Sequence, residues 1–139
     1  MSGKIVLAKY SPDNDALAME MAPAGFETVM TSAGTPEFFA ALADADYLVG
    51  YVDGQIREAL YKAAPKLKLI QLLNAGYDRA DLAAAVKAGV PVANNGGANS
   101  TAVSEHAILL MLAVSRRLVW QHNNVAAGRW RSNSMPRVY

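Results

Sequence analysis

Three short segments of this chain carry residues whose types and spacing suit ligand chemistry: Val52-Asp53-Gly54, Asn74-Ala75-Gly76-Tyr77-Asp78, and Asn94–Ser100. Each follows an apolar run of the kind that forms a buried strand. Small residues such as Ala75 and Gly76 let a ligand come close to backbone N–H groups, which suits anions. Asn99 and Ser100 add short polar side chains where a helix should open, beside its unpaired N–H groups. The implied chemistry is anion recognition. Gly96-Gly97 gives only part of a phosphate-loop signal, because neither G-x-G-x-x-G nor G-x-x-x-x-G-K-[ST] occurs in the chain.

Each of these features also has a plainer reading. Ala-Gly-Tyr-Asp can be a simple strand-to-helix turn with Asp78 or Asp81 as N-cap, and Asn99 and Ser100 are themselves good N-cap residues. His106, next to Glu105 near the start of the last helix, reads more simply as a packed, hydrogen-bonded histidine than as a general base. Trp120 and Trp130 read first as interface or packing residues.

Composition narrows the field. The 139 residues suffice for one domain with a real core. Apolar residues make up 53% and charged residues 18%, the latter below the roughly 25% of ordinary soluble domains. That shortage leaves room for a face normally covered by something else. A net charge of +1 argues against nucleic acid, which needs clustered basic charge. The absence of cysteine excludes disulfides, Cys-ligated zinc and thiol nucleophiles, and two histidines are too few for a His-rich metal cluster. No signal-peptide pattern opens the chain. The longest apolar run, Ala107–Val114, falls well short of the ~20 residues of a membrane span. A soluble, cytoplasmic protein is expected.

The elements that must position these loops alternate from end to end. Strands are expected at Lys4–Lys9, Phe26–Thr31, Asp46–Val52, Leu67–Leu73 and Val90–Ala93. Helices are expected at Asp15–Met21, after Pro36, at Gln55–Ala63 and at Arg79–Ala88, the last closed by Gly89. The strands lack period-2 alternation, which predicts burial on both faces. The expected fold is α/β: a flavodoxin-like, doubly wound, five-stranded parallel sheet of order 2-1-3-4-5 with a long C-terminal helix. That helix runs without a breaker from Ser100 to about Ala127, roughly 28 residues or about 42 Å. Its middle is apolar all round, as in a helix that crosses to another domain or a partner chain.

The residues then point to a family. Pro65-Lys66-Leu67-Lys68-Leu69-Ile70, Asn74 through Leu82, Gly89-Val90-Pro91-Val92-Ala93-Asn94 and Asn99 through His106 together resemble the D-isomer-specific 2-hydroxyacid dehydrogenases. The order and spacing match from about Asp46 to Trp130.

The resemblance implies a two-domain enzyme reducing 2-keto acids to D-2-hydroxy acids. In it a substrate-binding domain is joined by long helices to a Rossmann domain for NAD or NADP. The backbone amides of Ala75 and Gly76 would hold the substrate carboxylate, Asn99 would contact substrate, and Ser100 and Thr101 would lie near the nicotinamide. The long helix, with Glu105, His106, Leu109, Leu112 and Trp120, would serve domain and dimer contacts. Residues 1–99 would then be the substrate-binding domain, 100–128 the inter-domain and dimerisation helix, and 129–139 a truncated linker. The dinucleotide fingerprint and the family's catalytic Arg, Glu and His would all come later. The expectation is therefore a fragment without catalytic residues, cofactor or metal of its own, inactive alone. A homodimer is expected, one form of which exchanges the long helix; in a monomer the helix would instead bend near Ser115-Arg116-Arg117 and fold back. A stand-alone flavodoxin-like small-ligand binding or regulatory module is the alternative.

Overall fold

The computed structural model describes residues 3–129. Five strands, β1 (Gly3–Ala8), β2 (Phe26–Thr31), β3 (Tyr47–Gly50), β4 (Leu69–Leu72) and β5 (Val92–Ala93), pair in parallel in the order β2-β1-β3-β4-β5. Between them run α1 (Pro12–Glu20), α2 (Pro36–Leu42), α3 (Glu58–Ala63) and α4 (Leu82–Ala88). This is the expected doubly wound sheet. Beyond it come α5 (Ser100–Ser115) and α6 (Leu118–Ala126). The chain divides between Gly97 and Ala98 into two compact units. Among the described residues no helix is long and apolar enough to cross a membrane, and no cluster of His, Asp and Glu could hold a metal.

In the first unit one face of the sheet is closed. Val6, Leu48, Ile70 and Leu72 are fully buried with Phe38 and Leu42 of α2, Leu60 of α3, and Val52 and Ile56. Each such side chain contributes about 1.5–3 kcal/mol relative to leaving it in water. On the other face Leu7, Val49 and Gln71 stay partly exposed, and α1 buries none of its residues. Burial therefore alternates along β3 and β4, although their sequences do not. The expected burial on both faces is met on one only: α2 and α3 pack over that face, and α1 lies on the other. Between α1 and the partly covered face is a cavity of about 530 Å³, lined by Ile5, Leu7, Leu17, Met30 and Val49 among others.

β1 and β3 meet at the point where strand order reverses, through only three residue pairs: Ile5–Tyr47, Val6–Leu48 and Leu7–Val49. Just past them the chains come very close. Gly50 has φ +150°, and a Cβ there would stand 2.6 Å from that of Ala8. At the opposite edge Asp46 ties the strands together. It accepts from Lys4 N at 2.9 Å and from Lys68 Nζ at 2.7 Å, while its own N–H donates to Lys4 O at 2.9 Å.

Three helix starts differ from expectation: α1 begins at Pro12 rather than Asp15, with the proline in its first turn. Asp53–Gln55 is a single 3₁₀ turn, and α3 begins at Glu58 rather than Gln55. α4 begins at Leu82 rather than Arg79, because Asp81 caps it by accepting from Ala84 N at 3.0 Å. Gly89, in the left-handed conformation at φ +68°, ends it as expected.

In the second unit the expected unbroken helix is two. Arg116 and Arg117 form a turn, with Arg117 left-handed at φ 52°, and α6 starts afresh at Leu118. No residue of α5 or α6 is buried. Trp130 and all of the supposed linker after Arg129 lie outside the described residues.

Candidate functional site

Ala75 and Gly76 sit on the segment that leaves the carboxyl end of β4, where ligands collect in open α/β sheets. The carbonyls of this loop are occupied. The Asn95 N–H donates to Asn74 O at 3.1 Å, Asn94 Nδ2 donates to Ala75 O at 2.7 Å, and Asn74 Nδ2 donates to Gly76 O. No acceptor among the described residues takes the N–H of Ala75 or of Gly76. Three asparagines thus consume the acceptors of the loop and leave two adjacent donors open. Ala75 is partly exposed and Gly76 exposed, so both are reachable. Successive free backbone N–H groups form an anion-binding concavity, and charge-assisted bonds from them to a carboxylate are the strong kind.

The loop is anchored on its far side by an ion pair. Asp53, 5% exposed at the end of β3, accepts from Arg79 Nε at 2.8 Å and from Arg79 Nη2 at 3.0 Å, a bidentate geometry. The hydrogen-bonded guanidinium of Arg79 holds the Asp53 carboxyl below the usual carboxylate range, against burial, which pushes it up. Two further bonds join the same segments: Arg57 Nη1 donates to Arg79 O, and Asp81 N–H donates to Ile56 O at 3.0 Å.

Asn99 occupies the N-cap position of α5, yet its side chain makes no capping hydrogen bond. The capping role that would have accounted for it is not used. Ser100 and Thr101 open α5 and are exposed, and the Ser100 carbonyl accepts from Ser104 Oγ at 2.8 Å. These three residues belong to the second unit, whereas Ala75 and Gly76 belong to the first.

Glu105 and His106 are exposed on α5. Within this chain His106 is not packed, since α5 buries none of its residues. Leu109 and Leu112 are each more than half exposed. Trp120 is partly buried on α6, where its carbonyl accepts from Asn124 Nδ2 at 3.1 Å.

Sequence reasoning placed Asp53, Asn74, Asn94 and Arg79 in interesting segments without foreseeing what they do to one another. The partners in these pairs lie 19 to 26 positions apart, and nothing local announces them.

The family described as D-isomer specific 2-hydroxyacid dehydrogenase, catalytic domain, matches residues 6–134. Among relatives, a glyoxylate reductase of Thermococcus litoralis is 36% identical over 92 residues, covering 66% of this chain and 28% of the relative. A glyoxylate/hydroxypyruvate reductase B of Yersinia pestis is 30% identical over 135 residues, covering 96% of this chain and 41% of its own length. A solved structure, the NADPH-dependent glyoxylate/hydroxypyruvate reductase of Sinorhizobium meliloti in complex with NADP and malonate, superposes with a TM-score of 0.66 at 25% identity. It covers 96% of this chain and 41% of that one. The chain therefore spans well under half the length of the proteins it matches.

Proposed function

The chain belongs to the D-isomer-specific 2-hydroxyacid dehydrogenase family, and from that premise we propose that it forms the substrate-binding half of such an enzyme's cleft. One observation carries this reading: the open N–H groups of Ala75 and Gly76, on a loop whose Asn74, Ala75 and Gly76 carbonyls are taken. A 2-keto or 2-hydroxy acid supplies the carboxylate those donors lack. The family resemblance further assigns substrate contact to Asn99, whose side chain makes no capping bond, and the cofactor side to Ser100 and Thr101.

In the whole enzyme, nicotinamide from NAD or NADP supplies or accepts the hydride. The chain has no G-x-G-x-x-G turn to cradle a pyrophosphate, so we assign none of its residues to holding the dinucleotide. Its own residues bind the carboxylate and fix the direction of the substrate. We therefore propose that the chain does not turn over alone. Incubation with NADH or NADPH and glyoxylate, hydroxypyruvate or pyruvate should stay at the blank rate, and turnover above it would contradict this. Binding is tested separately: titration of ¹⁵N-labelled protein with pyruvate should shift the Ala75 and Gly76 amide resonances first. Saturating pyruvate that leaves both unmoved would sink the assignment.

The exposed apolar residues of α5, Leu109 and Leu112 among them, support a homodimer, in which a helix is also exchangeable between protomers. Light scattering across micromolar concentrations should give the dimer mass. A compact monomer throughout would overturn it.

A further inference from the structure

We propose that the Asp53–Arg79 ion pair is the positioning element that aims the Ala75 and Gly76 amides at a ligand carboxylate. The inference rests on the carboxylate reading of that loop and concerns what holds it in shape. Upstream, Asn74 and Ala75 are fastened to Asn94 and Asn95 through their carbonyls. Downstream, Arg79 is fastened twice, its side chain by Asp53 and its carbonyl by Arg57, and Asp81 is tied to Ile56. Between these anchored ends Gly76 and Tyr77 are bonded only within the segment, their carbonyls accepting from Asn74 Nδ2 and from the Ala80 N–H. A shift of Arg79, three residues from Gly76, therefore rotates the peptide whose N–H is on offer.

The pair contributes stability, because the Arg79 hydrogen bonds outweigh the desolvation of Asp53, but stability alone does not call for a fork from an arginine whose side chain is 72% exposed. Its bidentate geometry instead fixes direction, since a planar fork on a carboxylate has one docking orientation. A carboxylate at the topological switch point thus sets the loop that receives another carboxylate. Asp53 itself is kept from the ligand by its own burial and by Arg79.

The experiment compares wild type with Asp53→Asn, Arg79→Gln and Arg79→Lys, titrating each with pyruvate at a temperature where thermal melts show it fully folded. The backbone amide resonances of residues 74–79 and 94–95 are followed by NMR. Loss of the fork should weaken pyruvate binding about tenfold in Asp53→Asn and Arg79→Gln, with Arg79→Lys in between. The ligand-free Ala75 and Gly76 resonances should move while those of Asn94 and Asn95 hold. A pair that only stabilised the fold would lower the melting temperature and leave the affinity alone, and that result overturns the proposal. Should Arg79→Gln fail to fold, Arg79→Lys and Asp53→Asn decide the matter in the same way. Wild type that shows no pyruvate-dependent shift overturns the carboxylate reading itself, a distinct outcome.

Discussion

Ala8 and Gly50 stand so close across the β1–β3 junction that no side chain fits on Gly50: a Cβ there meets that of Ala8 at 2.6 Å. Gly50 also holds φ +150°, which L-residues rarely adopt. Gly50→Ala should cost about 2–4 kcal/mol, from strain plus overpacking. Adding Ala8→Gly should recover the steric part and leave the backbone part, and urea denaturation of the single and double variants measures both. Equal stabilities for Gly50→Ala and the double variant would show that the contact is not what Gly50 protects.

The pH response follows from Asp53. Its folded pKa lies below the unfolded value of about 4. The ion pair's contribution is therefore complete above that value and is lost as pH falls through the lower folded one. Urea midpoints should drop between about pH 5 and pH 2, and Asp53→Asn should flatten part of that slope. The rest remains, because Asp44, Asp46 and Glu58 are shifted the same way by their hydrogen bonds to Lys4, Lys68 and Lys62. A slope identical in wild type and variant would exclude the Asp53 contribution.

Asp81 is the side-chain cap of α4, through its bond to Ala84 N. Asp81→Ala should cost about 1 kcal/mol, and Asp81→Asn much less, since either oxygen can accept. Thermal melts suffice. A loss for Asn as large as that for Ala would mean that charge, not capping, is the function of the residue.

Asn94→Ala removes the donor at 2.7 Å from the Ala75 carbonyl. That carbonyl then competes for solvent, and the loop loses one of its upstream anchors. Stability should fall by about 0.5–1.5 kcal/mol. Pyruvate affinity, read by the Ala75 and Gly76 resonances, should fall as well. An unchanged affinity would show that the loop keeps its shape without Asn94.

The sheet was legible in the residues because each strand is a short apolar run between turn formers, and parallel pairing with short crossovers leaves few topologies. The start of α4 was legible only in part: Asp81 was one of two N-cap candidates, but Arg79 was also read as the opening of the helix. Arg79 is a good helix former, and its diversion to Asp53, 26 positions earlier, is a tertiary event. The break at Arg116-Arg117 carries no glycine or proline to announce it, and the residue that takes the left-handed conformation is an arginine. Within the site, the sizes of Ala75 and Gly76 pointed to exposed backbone donors. Which carbonyls would be occupied depended on how Asn74, Asn94 and Asn95 turn once β4 and β5 are paired, and one-dimensional spacing does not hold that information.

The narrow β1–β3 junction has a kinetic meaning too. Gly3 meets Phe26, Tyr47 meets Leu69 and Ile70 meets Val92 across 22 or 23 positions each, but Ile5 meets Tyr47 across 42. Closing that longer loop costs only about 0.6 kcal/mol more per doubling of length, and three residue pairs with the two Lys4–Asp46 bonds reward it. We expect the locally paired halves, β1–β2 and β3–β4–β5, to form before they dock, with the missing side chain of Gly50 leaving the seam free of an obstacle. Lower φ-values at the β1–β3 seam than at the β1–β2 and β3–β4 pairs would check that order.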